Sequence, residues 1–118
     1  MEDISINFET RVSSYLNFLI SVKETRTYSE IADKCHIKPP GKIRKISRIL
    51  LKITENDIIE KKPIRSAVIV SKINKMNGNN IPHEDFFLFL HKNEIYNGEK
   101  NIKSYTLFHK KLIRKLFS

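Results

Sequence analysis

The sequence predicts a mainly α-helical single domain with a short β element, in which a winged helix-turn-helix-like unit is flanked by N- and C-terminal helices. Three patterns indicate this fold: helical spacing of apolar residues near both ends, a capped short segment followed by a longer amphipathic one, and a β-branched run after them. A chain of 118 residues with 40% hydrophobic residues can bury one modest core. We therefore expect one domain over residues 1–118.

The first helix is predicted from about residue 6 to residue 23, because apolar residues recur there at positions i, i+4, i+7, i+8 and i+11. This stripe consists of Phe8, Val12, Tyr15, Leu16 and Leu19. A second, short helix should start at a capping box, since Thr27 and Glu30 are spaced to satisfy two free backbone N–H groups. Pro39, Pro40 and Gly41 then predict a turn, and a longer helix follows to about residue 56. Residues of about 26–56 form the predicted helix-turn-helix core.

The segment Pro63–Ser71 is β-branched, nearly uncharged and short, which predicts a strand buried on both faces. Turn-forming residues dominate Asn74–Asn80 and predict a loop or wing, flanked by Lys72 and Lys75. Strand and wing together span about residues 63–80. A short apolar helix should follow from Glu84, and a last helix from about 103 to 117.

Positive charge is concentrated in the middle of the chain. The formal net charge is +9 overall, and it is −1 for residues 1–40, +7 for 41–80 and +3 for 81–118. Such a balance favours an anionic partner, with nucleic acid ahead of an acidic membrane surface. The single cysteine, the acidic N-terminus and the lack of a long apolar run predict a cytoplasmic protein of a bacterial cell, associated with the nucleoid and not with a membrane.

The stretch GKIRKISRILLKI, residues 41–53, separates two kinds of residue on opposite faces of a helix. Its apolar stripe contains Ile43, Ile46, Leu50 and Ile53, and its opposite face contains Arg44, Lys45, Arg48 and Lys52. A solvated face usually mixes charges of both signs, whereas like charges at this spacing repel by roughly 0.2–0.5 kcal/mol per pair. The pattern therefore favours a DNA-binding face over an ordinary solvated one. The predicted DNA-binding residues are Lys42, Arg44, Lys45, Ser47, Arg48, Lys52, Lys72 and Lys75.

The order of TYSEIA at a capped helix, a Pro/Gly turn, a longer basic helix and a Pro-led apolar run resembles the winged-helix domain of O6-alkylguanine-DNA alkyltransferases and alkyltransferase-like proteins. The resemblance covers roughly residues 26 to 71. It implies that the longer helix enters DNA and that Arg44 matches the arginine near its start. The family's reactive Pro-Cys-His-Arg motif is replaced by Pro63-Ile64-Arg65-Ser66-Ala67, and Cys35 lies in another element, so alkyl transfer is not expected.

A second resemblance covers RSAVIVSK, the turn-rich insert and IPHEDFF. This run is similar to segments of small phage and mobile-element proteins, including DNA-binding domains of phage homing endonucleases and small phage-satellite repressors. It implies DNA binding outside a catalytic setting.

Other functional classes are less favoured by the sequence. The histidines lack ligand spacing and there is no second cysteine, so no metal, cofactor or small-molecule substrate is expected. Asp57 and Glu60 could suggest a nuclease centre, but they fall within one helix terminus and turn, and we predict a non-enzyme. The last helix carries His109, Lys110, Lys111, Arg114 and Lys115 on one side. It should cover the core, with a homodimer as a further expectation.

The sequence thus predicts a sequence-specific double-stranded DNA-binding protein that regulates transcription as a repressor of phage or mobile-element origin. The alternatives are an inhibitor that binds another protein and a non-catalytic accessory domain related to a homing endonuclease.

Overall fold

The protein is mainly α-helical with one short parallel sheet, as the sequence predicts. The computed structural model describes residues 4–118, with side chains from Phe8 onward. Within that range its elements are α1 (Ile4–Val22), β1 (Arg26–Thr27), α2 (Tyr28–Lys34), α3 (Lys42–Ile59), a 3₁₀ helix (Arg65–Val68), β2 (Ile69–Val70), α4 (Lys72–Met76), α5 (Glu84–Lys92) and α6 (Ile102–Leu116). These elements enclose one hydrophobic core, to which residues from Val12 to Leu116 contribute.

Helix α1 buries the stripe that its sequence predicts: Val12, Leu16 and Leu19 are fully buried. The chain then enters β1, which pairs in parallel with β2 and places Arg26 opposite Ile69 and Thr27 opposite Val70. Parallel strands need a long crossover connection, and here α2 and α3 supply it.

The predicted capping box at the start of α2 is present. The Thr27 hydroxyl accepts a hydrogen bond from the Glu30 backbone N–H, and the Glu30 carboxylate accepts one from the Thr27 N–H at 2.9 Å. That second bond is the main reason why the pKa of Glu30 is lowered. The start of α2 is therefore fixed by its own residues.

Helix α3 extends three residues beyond its predicted end at residue 56. Ile46, Leu50 and Ile53 are buried as predicted, but Ile43 is 40% exposed. Ile43 lies at the edge of the apolar stripe and lines an open groove rather than the core. The prediction was wrong for this one residue.

The prediction of a strand over residues 63–71 was wrong for most of its length. Ala67–Val70 are fully buried as predicted, but Arg65–Val68 form a 3₁₀ helix and the strand is limited to Ile69–Val70. Contacts with α3 favour the 3₁₀ conformation over an extended strand here. The Arg65 backbone N–H donates to the Asp57 carboxylate, and the Ser66 hydroxyl lies 2.5 Å from that of Thr54. Strand β1, moreover, offers only two residues for pairing.

The predicted loop or wing at residues 74–80 begins inside a short helix instead, since α4 spans Lys72–Met76. The Ser71 hydroxyl accepts from the Asn74 N–H and caps α4, so Lys72 and Lys75 lie on a short helix. A left-handed Gly78, with φ of +86°, follows α4. Within residues 4–118 the sheet has two parallel strands, so no antiparallel wing hairpin is present there.

Helices α5 and α6 form at the predicted places and pack through aromatic rings. The rings of Phe87 and Tyr105 stack with centroids 4.3 Å apart, and the rings of Tyr96 and Phe108 extend the cluster. His109 is only 5% exposed, which corrects its predicted place on the basic side of α6. Its Nε2 lies 2.7 Å from the Ala67 carbonyl oxygen, because α6 packs against the 3₁₀ helix.

A buried ion pair joins α3 to the segment after it. Asp57 is 1% exposed in its side chain, and Arg65 contacts both of its carboxylate oxygens at 3.0 Å. The other guanidinium nitrogen donates to Ser13 and Asn17 of α1. Asp57 therefore has a structural explanation that differs from the nuclease interpretation.

Among the described residues, no helix combines the length and the apolar character needed to cross a membrane.

We expect Arg65→Met to lower the free energy of unfolding by about 3 kcal/mol, because it leaves the buried Asp57 carboxylate without a cation. Urea unfolding at pH 7 measures the loss. The control is Lys62→Met, which removes an exposed bridge to Glu60 and should change stability by less than about 0.5 kcal/mol. Equal losses in both variants would contradict the structural role of Arg65.

We also expect stability to fall as the pH decreases below about 6.5, the ordinary pKa of histidine. Burial lowers the pKa of His109 in the folded protein, so the unfolded chain takes up a proton first and is favoured as the pH falls toward the folded pKa. His109→Gln keeps a donor for the Ala67 carbonyl but cannot titrate. Thermal unfolding at pH 7 and pH 5 should show a smaller difference for this variant than for the wild type; an identical difference would exclude His109 as the cause.

Candidate nucleic-acid interface

Helix α3 packs against the short helix α2, and its first turn is held in place by α2 and by the segment that connects the two helices. Gly41 precedes α3 in a left-handed conformation, with φ of +71°, which glycine adopts without a steric cost. The Lys42 ammonium lies 2.6 Å from the Asp33 carboxylate of α2. The Lys45 ammonium donates to the Lys38 carbonyl at 3.1 Å.

These contacts assign a local structural role to two of the predicted DNA-binding residues. Lys42 and Lys45 bridge α3 to α2 and to the turn between them. Lys45 is nevertheless exposed, and its ammonium can donate further hydrogen bonds. Both side chains therefore keep positive charge at the start of α3 while they orient it.

Three of the predicted residues form a straight row on the exposed face of α3. Arg44, Arg48 and Lys52 are spaced by four residues and are all exposed. Successive members of the row are about 6 Å apart along the helix axis, so the row is about 12 Å long, close to the width of the DNA major groove. In the part of the chain with described side chains, none of the three forms an ion pair.

An open groove runs beside this row, between α3 and the start of α5. Its α3 wall includes Arg44, Ser47 and Arg48, and its other wall includes Glu84 and Asp85. The two acidic residues lie in the first turn of α5, where they interact favourably with the helix dipole. Ser47 is half-buried and faces this groove, which sets it apart from the exposed row.

His83 connects this groove to the rest of the surface. Its ring stacks on that of Tyr28 in α2 with centroids 4.4 Å apart. It lines both the α3 groove and a second open groove beside α4. The His83–Asp85 segment was not among the sequence-predicted site residues, since its proximity to α3 depends on this long-range contact.

Lys72 and Lys75 lie exposed on α4. The positive charge of Lys75 contributes to the lowered pKa of Glu30 in α2. The cations of α4 are thus near the same α2 helix that positions α3. Two apolar side chains, Ile73 and Met76, are exposed next to them.

Ile64 stands where the alkyltransferase resemblance would place the reactive cysteine, and it is buried in the core. The Ser66 hydroxyl is buried against Thr54, and the adjoining cavity, lined also by Tyr28, has a volume of about 50 Å³. A cavity of that size holds a few water molecules and no nucleobase. Cys35 is buried at the end of α2, and burial raises the pKa of its thiol.

No group of three or more His, Cys, Asp or Glu side chains is close enough to hold a metal ion within the described residues. Comparisons of the chain with models of protein families, with curated proteins and with solved structures found no match.

Proposed function

We propose that the protein binds double-stranded DNA through α3 and regulates transcription as a sequence-specific repressor. The observation that supports this proposal is the exposed row of Arg44, Arg48 and Lys52 on a helix whose opposite face is buried. Cations at this spacing repel one another, and a bound polyanion would relieve this repulsion further than Glu84 and Asp85 across the groove do. The sequence resemblance to DNA-binding domains of phages and mobile elements supports the same class of protein.

The row divides into two kinds of contact. Arginine can donate two hydrogen bonds to one guanine edge, so Arg44 and Arg48, in the first half of α3, are the proposed base-reading residues. Lysine behaves as a point charge, and we assign Lys52 to a backbone phosphate. Lys45 at the start of α3, and Lys72 and Lys75 on α4, are the proposed additional phosphate contacts.

The groove beside the row offers a second source of discrimination. Glu84 and Asp85 face Arg44 and Arg48 across it. A carboxylate accepts a hydrogen bond from the cytosine amino group and disfavours a nearby phosphate. In the proposed complex this wall would limit how the helix can be seated in the major groove.

A protein partner with an acidic surface is the second candidate. Ile59 favours it, since this apolar side chain is 69% exposed and lies on the same side of α3 as Arg48 and Lys52. Arginine is enriched in protein interfaces, whose cores are apolar. Binding that depends on the DNA sequence would separate the first proposal from this one.

Binding to duplex DNA should weaken steeply with salt. If four to six phosphates are neutralised, the logarithm of the association constant should fall with the logarithm of salt concentration at a slope of roughly −4 to −5. Fluorescence anisotropy with a labelled duplex, at several salt concentrations, measures the slope. Affinity that stays constant across the series would refute DNA binding by this basic face.

Substitutions in the row should distinguish residues that contact bases from residues that contribute only positive charge. Arg44→Lys and Arg48→Lys keep the charge but lose the paired hydrogen bonds, so we expect specific affinity to fall roughly tenfold to a hundredfold while non-specific affinity changes little. Lys52→Ala should instead weaken binding to all sequences alike and make the salt slope shallower by about one unit.

The target duplex for this test comes from selection on a random DNA library. The matched control is Lys92→Ala, an exposed lysine at the end of α5, which should leave both affinities unchanged. Circular dichroism confirms that each variant is folded. Folded arginine variants that bind the selected duplex like the wild type would exclude α3 as the base-reading helix.

A further inference from the structure

A third open groove lies between α6 and the turn that follows α4, away from the row on α3. One wall is formed by Thr106, Lys110 and Arg114 of α6, and the other by Lys23 and the Gly78–Ile81 turn. The two walls are fixed relative to each other, because the Asn80 side chain donates to the Thr25 hydroxyl and His109 is bound to the Ala67 carbonyl. This groove shares no lining residue with the groove beside Arg44 and Arg48.

The charged side chains that line this third groove, beside α6, are all positive. Lys110 and Arg114 lie one helical turn apart on one wall, and Lys23 lies on the other. No carboxylate lines the groove, and within the described side chains none of these three cations forms an ion pair. Helix α6 itself contains no acidic residue, so nothing on that wall offsets the charge.

A polar group without a partner lies in the same wall. The Thr106 hydroxyl is buried and has no hydrogen-bond partner among the described residues. A buried polar group without a partner destabilises a protein. Thr106 lies one turn before Lys110 and two turns before Arg114 on α6. Because its hydroxyl oxygen is not accessible from the open groove, the donors that this wall presents are Lys110 and Arg114.

We propose that this groove binds the phosphate group of a phosphate ester. A phosphate offers several acceptor oxygens and a charge that Lys23, Lys110 and Arg114 would neutralise together. Ile113 and Phe117 also line the groove and provide an apolar surface for the organic part of the ester. The inference does not depend on the proposed role of α3. The ester can belong to a nucleic-acid backbone or to a free phosphorylated molecule, since the chemistry is the same.

Amide chemical shifts in two-dimensional NMR test this site, with thymidine 5′-monophosphate as the probe and thymidine as the control that lacks the phosphate. We expect saturable shifts at Thr106, Lys110 and Asn80 with the nucleotide and none with the nucleoside. Shifts of equal size with both compounds, or no saturable shift with either, would overturn the proposal.

Two double variants with the same change in charge show whether the groove or the general charge of α6 is responsible. Lys110→Gln/Arg114→Gln should weaken nucleotide binding roughly tenfold or more, because it removes two positive charges that would donate hydrogen bonds to the phosphate. Lys111→Gln/Lys115→Gln changes exposed residues that do not line the groove, so it should weaken binding by about twofold at most, since distant charges are screened. Equal weakening in both would overturn the proposal.

A competition experiment in the Arg44→Ala/Arg48→Ala variant identifies the source of the phosphate. A short DNA duplex is added to the protein with the nucleotide bound, and release of the nucleotide is measured. Displacement of the nucleotide by a short DNA duplex would support a backbone phosphate, and retention of the nucleotide would support a free phosphorylated molecule. Both results keep the groove as a phosphate site. Nucleotide binding that is lost together with Arg44 and Arg48, while Lys110→Gln/Arg114→Gln has no effect, would place the phosphate on α3 and overturn the proposal.

Discussion

The ion pair between Asp57 and Arg65 is the constraint on which the arrangement of the helices depends. A buried carboxylate needs a cation and hydrogen bonds around it, and Arg65 can supply them only if the chain turns back sharply after α3. The same guanidinium also reaches Ser13 and Asn17, so α1, α3 and the 3₁₀ helix meet at one side chain. The exposed row on α3 is thereby carried on a helix with a firmly fixed C-terminal half.

The two ends of α3 are held by interactions of different strength. The C-terminal end is held by buried charges, whereas the N-terminal end is held by the exposed pair of Lys42 and Asp33 and by Lys45 at a carbonyl. Exposed pairs contribute little and are screened by salt. The polar contacts that hold the first turn of α3 are therefore weaker than the buried pair at the other end of the helix. In the proposed DNA complex the base-reading arginines lie in the first half of α3, and in helix-turn-helix proteins it is likewise the N-terminal residues of the recognition helix that contact the bases.

Most helices could be predicted from the sequence because their boundaries depend on local chemistry. The capping box at Thr27 and Glu30, the prolines before α3 and the apolar stripe of α1 all act over a few residues. The prediction of a strand over residues 63–71 was wrong because the conformation of this segment depends on Asp57, which is several residues away in sequence. The basic residues of α3 were predictable by periodicity, but the acidic wall opposite them was not, since the stacking of His83 on Tyr28 brings together residues 55 positions apart. Periodicity also could not show that His109 is buried, because α6 carries apolar residues on more than one side.

Thr27 belongs to two structures at once: it is the last residue of β1 and the cap of α2. Its pairing with Val70 fixes the position of the strand, and its hydroxyl fixes the first turn of the helix. There is no spacer residue between the two functions, so an insertion or deletion between Arg26 and Glu30 cannot be absorbed by a loop. Divergence in this region should consequently proceed by substitution, whereas the turn of residues 93–101, which is mostly exposed, can change in length. The register of β1 on β2 and the starting residue of α2 are therefore coupled, and neither can shift without the other.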